Sequence, residues 1–418
     1  MIQEQLYNMG NVAFGGAMKI ASFLHPKAKL FIDGRKGLLS KISSDFKNNT
    51  RPVAWFHCAS LGEFEQGRPV IEAFRTAFTD YLIVLTFYSP SGYEVQKEYD
   101  QADFVYYLPI DTKSNATKFV ETIQPKIAFF VKYEFWHNYL NALKKNSSRI
   151  ISFSTIFRPD QAFFKKGGGF QQNMLKKFDF FFTQDQRSFD LLSQININCK
   201  EIAGDTRFDR VAEICASPKQ IPLAQQFSEG NQVAVVGSSW PLDIEALSKS
   251  VNSISSLKWI IAPHEISDKK IQFIIDTFFS RKCIRYSKAT TENINQYDIL
   301  IIDNIGMLSS LYQFADFAYV GGAFKEGLHN ILEPATFGIP IVIGAEFSKF
   351  IEAIALVERK GVLSIQSSEE CLSIIKKLVD DVEFRTTTGR ITKQYVNENL
   401  GSTEKIISYC QKIISENQ

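Results

Sequence analysis

The chain reads as an α/β protein built from two doubly wound domains that face each other across a cleft. Three observations predict this. Short runs dense in Val, Ile and Phe alternate with stretches of helical periodicity, the pattern of parallel strands covered on both faces. The series occurs twice, and 418 residues exceed what one ordinary core holds. Polar residues gather just after the carboxyl ends of the runs, the edge at which open parallel sheets bind ligands.

In the first half, Pro52 to His57 is a short apolar strand, and Phe64 to Phe78 has helical spacing. Tyr81 to Phe87 is a buried strand, and Ser89-Pro90-Ser91-Gly92 turns into a helix. Phe104 to Leu108 and Ile127 to Val131 are further strands, the latter followed by a helix over Trp136 to Lys145. Ile150 to Phe153 and Phe180 to Thr183 complete the series. The pattern breaks between Gly204 and Pro222, which sets the domain boundaries at 25–210 and 211–418. The second half has strands at Gln232 to Val236, Trp259 to Ala262, Ile299 to Ile302, Phe317 to Val320 and Ile339 to Ile343. For the last helix, from about Cys410, a crossing back to the first domain stays open. There is no repeat of solenoid length and no low-complexity tract.

Composition removes several classes of function. A net charge of +2 gives no electrostatic case for nucleic acid. Six cysteines without CxxC spacing fit free thiols in a reducing compartment, not a disulfide framework or a zinc site. Residues 1–24 place Ile2, Leu6, Met9, Ala13, Ala17, Ile20 and Leu24 near one helical face. Polar interruptions make this too broken for a membrane span, and it lacks the marks of a signal peptide. Lys27, Lys29, Arg35, Lys36 and Lys41 follow. An amphipathic helix with a basic flank reads as a membrane-associating helix. A helix that packs on the protein reads the same way.

Four constellations carry chemistry. Val320-Gly321-Gly322 ends a strand, and a helix is expected from about His329, with Glu333 one turn inside it. Glycines admit a close-approaching anion, the first helical turn offers free N–H groups, and Glu333 suits a pair of sugar hydroxyls. An ordinary tight turn is the bland alternative. Second, His57-Cys58-Ala59-Ser60-Leu61-Gly62-Glu63 follows the first strand and puts Glu63 near a helix N-terminus, facing positive backbone potential. In a cleft, Glu63 is a general base; otherwise it is the partner of Ser60 in a capping box. Third, Glu134 stands among aromatics after Val131, with Arg158 and Arg207 available for anions or exposed on the surface. Fourth, Gly237-Ser238-Ser239 resembles a small phosphate loop without the lysine of a Walker motif, and Pro263-His264 ends the next strand. No metal-spaced cluster, HExxH or nucleophile elbow is present.

Taken in order, these segments resemble the 3-deoxy-D-manno-octulosonic acid (Kdo) transferases of lipid A biosynthesis, along nearly the whole chain. WFHCASLGE (Trp55 to Glu63) is similar to W-I-H-A-A-S-V-G-E, and LTFYSPSGYE (Leu85 to Glu94) to a Thr-rich T-x-T-x-T-G segment. YYLPID (Tyr106 to Asp111), VKYEFWHNYL (Val131 to Leu140) and GDTRFD (Gly204 to Asp209) resemble Y-L-P-x-D, V-E-T-E-L-W-P-N-L and G-N-L-K-F-D. Val320 to Gly344 follows V-G-G-S-x-x-x-x-G-G-H-N-x-L-E-P-A-x-x-G-x-P-V-x-x-G. Lys132 replaces the first acid of E-T-E, Arg207 replaces Lys, Trp240 stands where many members have His, and the Arg of P-R-H is absent before His264.

The resemblance implies a GT-B glycosyltransferase fold and inverting transfer of Kdo from CMP-β-Kdo to a lipid A precursor, without cofactor or metal. It implies Glu63 as catalytic base and Ser60, Gly62, Glu134 and Arg158 on the acceptor side. Arg207, Gly237, Ser238, Ser239, Pro263, His264, Gly321, Gly322, His329, Asn330 and Glu333 would bind the donor. The expected partners are CMP-Kdo, the lipid acceptor and the cytoplasmic surface of the bacterial inner membrane, with no nucleic acid. Another GT-B glycosyltransferase or epimerase, or an inactive membrane-surface binding protein, stays open as an alternative.

Overall fold

A computed structural model describes residues 2–416. The chain divides into two compact units, one running to Arg210 and resuming at Leu400, the other Val211–Asn399. In the first unit the strands are β1 Val53–Cys58, β2 Leu82–Phe87, β3 Phe104–Tyr107, β4 Pro125–Val131, β5 Arg149–Thr155, β6 Phe180–Thr183 and β7 Lys200–Ile202. They form a seven-stranded parallel sheet in the order β3-β2-β1-β4-β5-β6-β7. The second unit has β8 Gln232–Ser239, β9 Leu257–Pro263, β10 Cys283–Arg285, β11 Ile299–Ile301, β12 Phe317–Val320, β13 Ile341–Gly344 and β14 Val362–Ile365. Its seven parallel strands run β10-β11-β9-β8-β12-β13-β14.

The central strands are buried along nearly all of their length, as their apolar runs require. Phenylalanine builds much of the first core: Phe56 stacks on Phe129 at 4.4 Å, and Phe74 meets both edge-on. Three strands have no counterpart in the sequence reading. β7 and β10 are three residues long and carry Lys200, Glu201 and Arg285, while β14 is only half apolar in its burial. They lie outside the apolar middle of their sheets, where a continuous hydrophobic run is not needed.

Several boundaries differ from expectation. The helix expected near His329 begins at Leu332 and ends at Phe337, so His329 and Asn330 lie in the loop before it and Glu333 in its first turn. The Asn330 side chain accepts from the Leu332 N–H and holds that loop open to the helix start. β8 continues to Ser239, so Gly237 is a strand residue. A Cβ there would lie 2.0 Å from the Tyr312 hydroxyl, so this glycine serves packing. The last helix spans Ser402–Ser415 and packs on the helix Leu61–Ala77 of the first unit.

The N-terminal helix Ile2–Ala21 turns its polar side inward. Tyr7 donates to Asp111 at 2.6 Å, Asn138 donates to Asn8 at 2.8 Å, and Glu4 lies 3.4 Å from His137. No residue of this helix is buried, and Ile2, Leu6, Met9, Val12 and Ile20 stay exposed. Among the described residues no helix is long and apolar enough to cross a membrane. Arg35 does not belong to the basic flank. It donates to the carbonyls of Phe31, Tyr88 and Leu108, its guanidinium lies 3.6 Å over the Phe31 ring, and burial pulls its pKa down to about 10.

Candidate active site

Strand order locates the chemistry. In the first unit the chain builds outward from β1 to β3, then returns to place β4 on the other side of β1. In the second, β8 and β12 are neighbours for the same reason. A crevice opens at the carboxyl ends of two such strands, where the loops diverge. The segments at the carboxyl ends of β1 and β4 carry Ser60, Glu63 and Glu134; those at the carboxyl ends of β8 and β12 carry Ser239, Trp240 and the Gly321-Gly322 pair.

In the first unit, Ser60 is extended and precedes the helix Leu61–Ala77, whose first turn holds Glu63. The Ser60 hydroxyl makes no cap bond to the helix backbone and donates instead to Glu63 Oε2. A capping box is therefore not formed. Glu63 is half-buried and Oε1 has no hydrogen-bond partner among the described residues, so the carboxylate is oriented yet open to a ligand. Gly62 is exposed beside it. Glu134 Oε2 accepts from the Trp136 indole at 2.9 Å and lies 3.7 Å from His57 Nε2. Both carboxylates act on common neighbours. Burial, then Glu63 and Glu134, push the Cys58 thiol and the Tyr133 phenol upward, and Arg158 opposes this at Tyr133. Arg158 is two-thirds exposed and 3.8 Å from Asp160. Lys132 holds φ +69 at the turn out of β4, a strained conformation at the carboxyl edge of the sheet.

His57, which the sequence does not mark as a site residue, is fully buried on β1 beneath this site. Its Nδ1 lies 2.9 Å from Thr86 Oγ1, which also accepts from the Trp55 indole at 2.8 Å. Trp136 reaches His57 Nε2 at 3.2 Å and stacks on Tyr88 at 4.6 Å. In the sequence His57 is one polar residue in an apolar run, with no spacing to mark it.

In the second unit one carboxylate organises the loops. Asp243, fully buried in the first turn of the helix Pro241–Ser253, accepts from the Trp240 N–H at 2.8 Å, the Gly322 N–H at 3.0 Å and the Tyr319 hydroxyl at 2.8 Å. Burial raises its pKa; the three bonds oppose that rise. Asp243 looks like any helix-capping acid in the sequence, and only the fold brings Gly322 to it. The glycine pair is obligatory. Gly322 has φ +96, and a Cβ would sit 2.2 Å from the Gly327 carbonyl; at Gly321 it would meet Ser238 O at 2.5 Å.

Around this loop, Trp240 stacks on His264 at 4.4 Å, His264 lies 4.8 Å from His329, and the Trp240 indole donates to His329 Nε2 at 3.1 Å. Burial and the neighbouring His264 pull the His329 pKa below its usual 6.5. Asn330 donates to Glu333 at 3.1 Å. Pro263 ends β9 opposite Ser239, and the His264 N–H donates to the Ser239 carbonyl. Ser238 has φ +51, and the Ser239 hydroxyl is buried without a hydrogen-bond partner, a group that a bound polar ligand would satisfy. Of the residues expected to bind a donor, Arg207 alone belongs to the first unit, where Asp205 engages it at 2.8 Å. Among the described residues no three His, Cys, Asp or Glu side chains cluster as metal ligands.

Residues 32–210 match the family model of 3-deoxy-D-manno-octulosonic-acid transferase (Kdotransferase). Over this segment and beyond it, the chain is similar to Kdo transferases. It is 27% identical to the 3-deoxy-D-manno-octulosonic acid transferase of Aquifex aeolicus over 79% of this chain and 87% of that one. To the enzyme of the same name from Chlamydophila psittaci it is 25% identical, over 85% of each. Among solved structures, the UDP-GlcNAc 2-epimerase of Neisseria meningitidis bound to UDP-GlcNAc superposes with a TM-score of 0.61 at 13% identity, covering 86% of this chain and 99% of that one. The fold is GT-B.

Proposed function

We propose that this protein is a Kdo transferase, transferring Kdo, with inversion, from CMP-β-Kdo to a lipid A precursor, lipid IVA, in lipopolysaccharide synthesis. The observation that carries the reading is Glu63: a half-buried carboxylate at the switch point of the first sheet, oriented by Ser60 and with Oε1 unengaged. Such a group takes the proton of an attacking hydroxyl as the new glycosidic bond forms and the CMP bond breaks. Glu134, steadied by Trp136, serves the acceptor sugar, and Tyr133 and Arg158 lie beside it for the sugar ring and a phosphate.

The second unit handles the donor. The Ser239 hydroxyl and His329 are neutral donors suited to a nucleotide phosphate, the Gly321-Gly322 turn gives a ligand close approach, and Glu333 with Asn330 suits ribose hydroxyls. Donor-side stabilisation rests on these loop groups more than on the helix Leu332–Phe337, which has only six residues. The exposed apolar side of the N-terminal helix, flanked by Lys27 and Lys29, supports work at the cytoplasmic face of the inner membrane, where a lipid acceptor is presented.

The test is incubation of the purified chain with CMP-Kdo and a tetraacylated lipid A precursor, with products resolved by mass. A product heavier by one or more Kdo units is expected. No product with this pair, alongside turnover of UDP-GlcNAc, would favour an epimerase.

A further inference from the structure

The interaction between Trp240 and His329 constrains the chemistry of the second site more tightly than its residue types do. An indole N–H can only donate, so the imidazole nitrogen it meets at 3.1 Å must carry a lone pair. That nitrogen is Nε2. The proton of a neutral His329 then resides on Nδ1, which has no hydrogen-bond partner among the described residues.

The geometry has little freedom to relax. The Trp240 backbone is fixed by Asp243, and the Trp240 ring is covered by His264 at an interplanar angle of 24°. His329 is tied through its own N–H to the Gly321 carbonyl. A second proton on Nε2 would point at the indole N–H, and His264 adds repulsion from the loop after β9. The acidic groups that would favour a charged ring are engaged or distant in role. Asp243 is taken by three donors, Glu333 accepts from Asn330, and Glu326 stands exposed on the loop.

We propose that Trp240 is a positioning residue of this site: its indole fixes His329 as a neutral imidazole protonated on Nδ1, an uncharged hydrogen-bond donor for the phosphate of a nucleotide. The nucleotide part rests on the donor-site reading above; the tautomer does not. A site built this way contributes the same hydrogen bond on either side of the ordinary histidine pKa of about 6.5, where a free imidazole would change charge.

The experiment is a long-range proton–nitrogen correlation spectrum of histidine-labelled full-length protein between about pH 5.5 and 7.5. Trp240→Phe, which keeps an aromatic face and removes the N–H, is compared with wild type. CMP affinity is measured by calorimetry on the same samples. In wild type the His329 Nε2 signal is expected to be unprotonated throughout and Nδ1 protonated. In Trp240→Phe the ring should exchange tautomers and gain a proton as pH falls. CMP affinity in that variant, taken relative to wild type, should drop about fivefold at the upper pH, one hydrogen bond's worth, and recover as the ring becomes cationic. A protonated Nε2 in wild type overturns the tautomer assignment. An unchanged pH profile in Trp240→Phe overturns the positioning role. The expected tautomer without CMP binding by wild type overturns the donor-site reading instead.

Discussion

Replacing Asp243 by Ala tests how the second site is held together. The side chain is fully buried and takes three donors, the N–H groups of Trp240 and Gly322 and the hydroxyl of Tyr319, at 2.8, 3.0 and 2.8 Å. Removing it leaves the Gly322 N–H and the Tyr319 hydroxyl buried without partners and the Trp240 N–H half-buried. Each stranded donor costs about 1–3 kcal/mol. The desolvation that raises the carboxyl pKa offsets part of this, so about 3–5 kcal/mol is expected for Ala. Asn keeps the shape and replaces charge-assisted bonds with neutral ones, at about 1–2 kcal/mol. For a unit of this size the Ala change corresponds to roughly 10 °C in its melting temperature. The assay is calorimetric melting followed by CMP titration below the transition. Because Gly322 loses its tether, CMP affinity should fall at least about tenfold, even where the protein is folded. An Ala variant within about 1 kcal/mol of wild type, with unchanged CMP affinity, would refute the view that one carboxylate pins the loop.

Other expectations are independent of that one. Glu63→Gln keeps the Ser60 contact and removes basicity, so turnover should fall about two to four decades while CMP affinity holds; near-normal turnover would remove Glu63 as the base. Leu6→Glu, on the exposed side of the N-terminal helix, should weaken co-sedimentation with anionic vesicles and leave the melting temperature alone. Tyr7→Phe should do the reverse, costing about 1.5 kcal/mol for a bond to a buried carboxylate. Equal sedimentation of Leu6→Glu and wild type would mean that another surface meets the membrane. Stability should also decline on acidification. Burial first, then Lys177 for His137 and His264 for His329, hold both imidazoles below the usual 6.5. The unfolded chain therefore binds more protons below about pH 6.5, and stability present above that value is lost as pH falls toward the folded values. Urea midpoints at about pH 7.5 and 5.5 measure this, and His329→Gln should flatten the difference; an unaltered difference would count against the assignment.

Much of the architecture was legible because buried parallel strands leave a plain mark. Val53–Cys58, Leu82–Phe87 and Pro125–Val131 are apolar almost throughout. Strand order left no such mark. Nothing in the residues says that β4 returns beside β1, yet that return brings Glu134 and Glu63 to one edge. Glu63 and the glycine pair were readable from turn chemistry and motif order. His57 and Asp243 were not, because a buried polar residue is defined by partners distant in sequence: Thr86 and Trp136 for one, Tyr319 and Gly322 for the other. The start of the helix at Leu332 was missed because Asn330, not His329, supplies the side chain that engages the helix backbone.

The inward polar side of the N-terminal helix has a mechanical consequence. Most amphipathic helices hide their oily stripe in the body of the protein and show water their charges; here the arrangement is reversed, and no residue of the helix is buried. The helix is buttoned on by the polar groups of Tyr7, Asn8 and Glu4 and by the Phe14 ring against Phe31 and Tyr88. Held this way, the segment keeps its oily stripe facing outward, like a keel, without giving up its seat on the first unit.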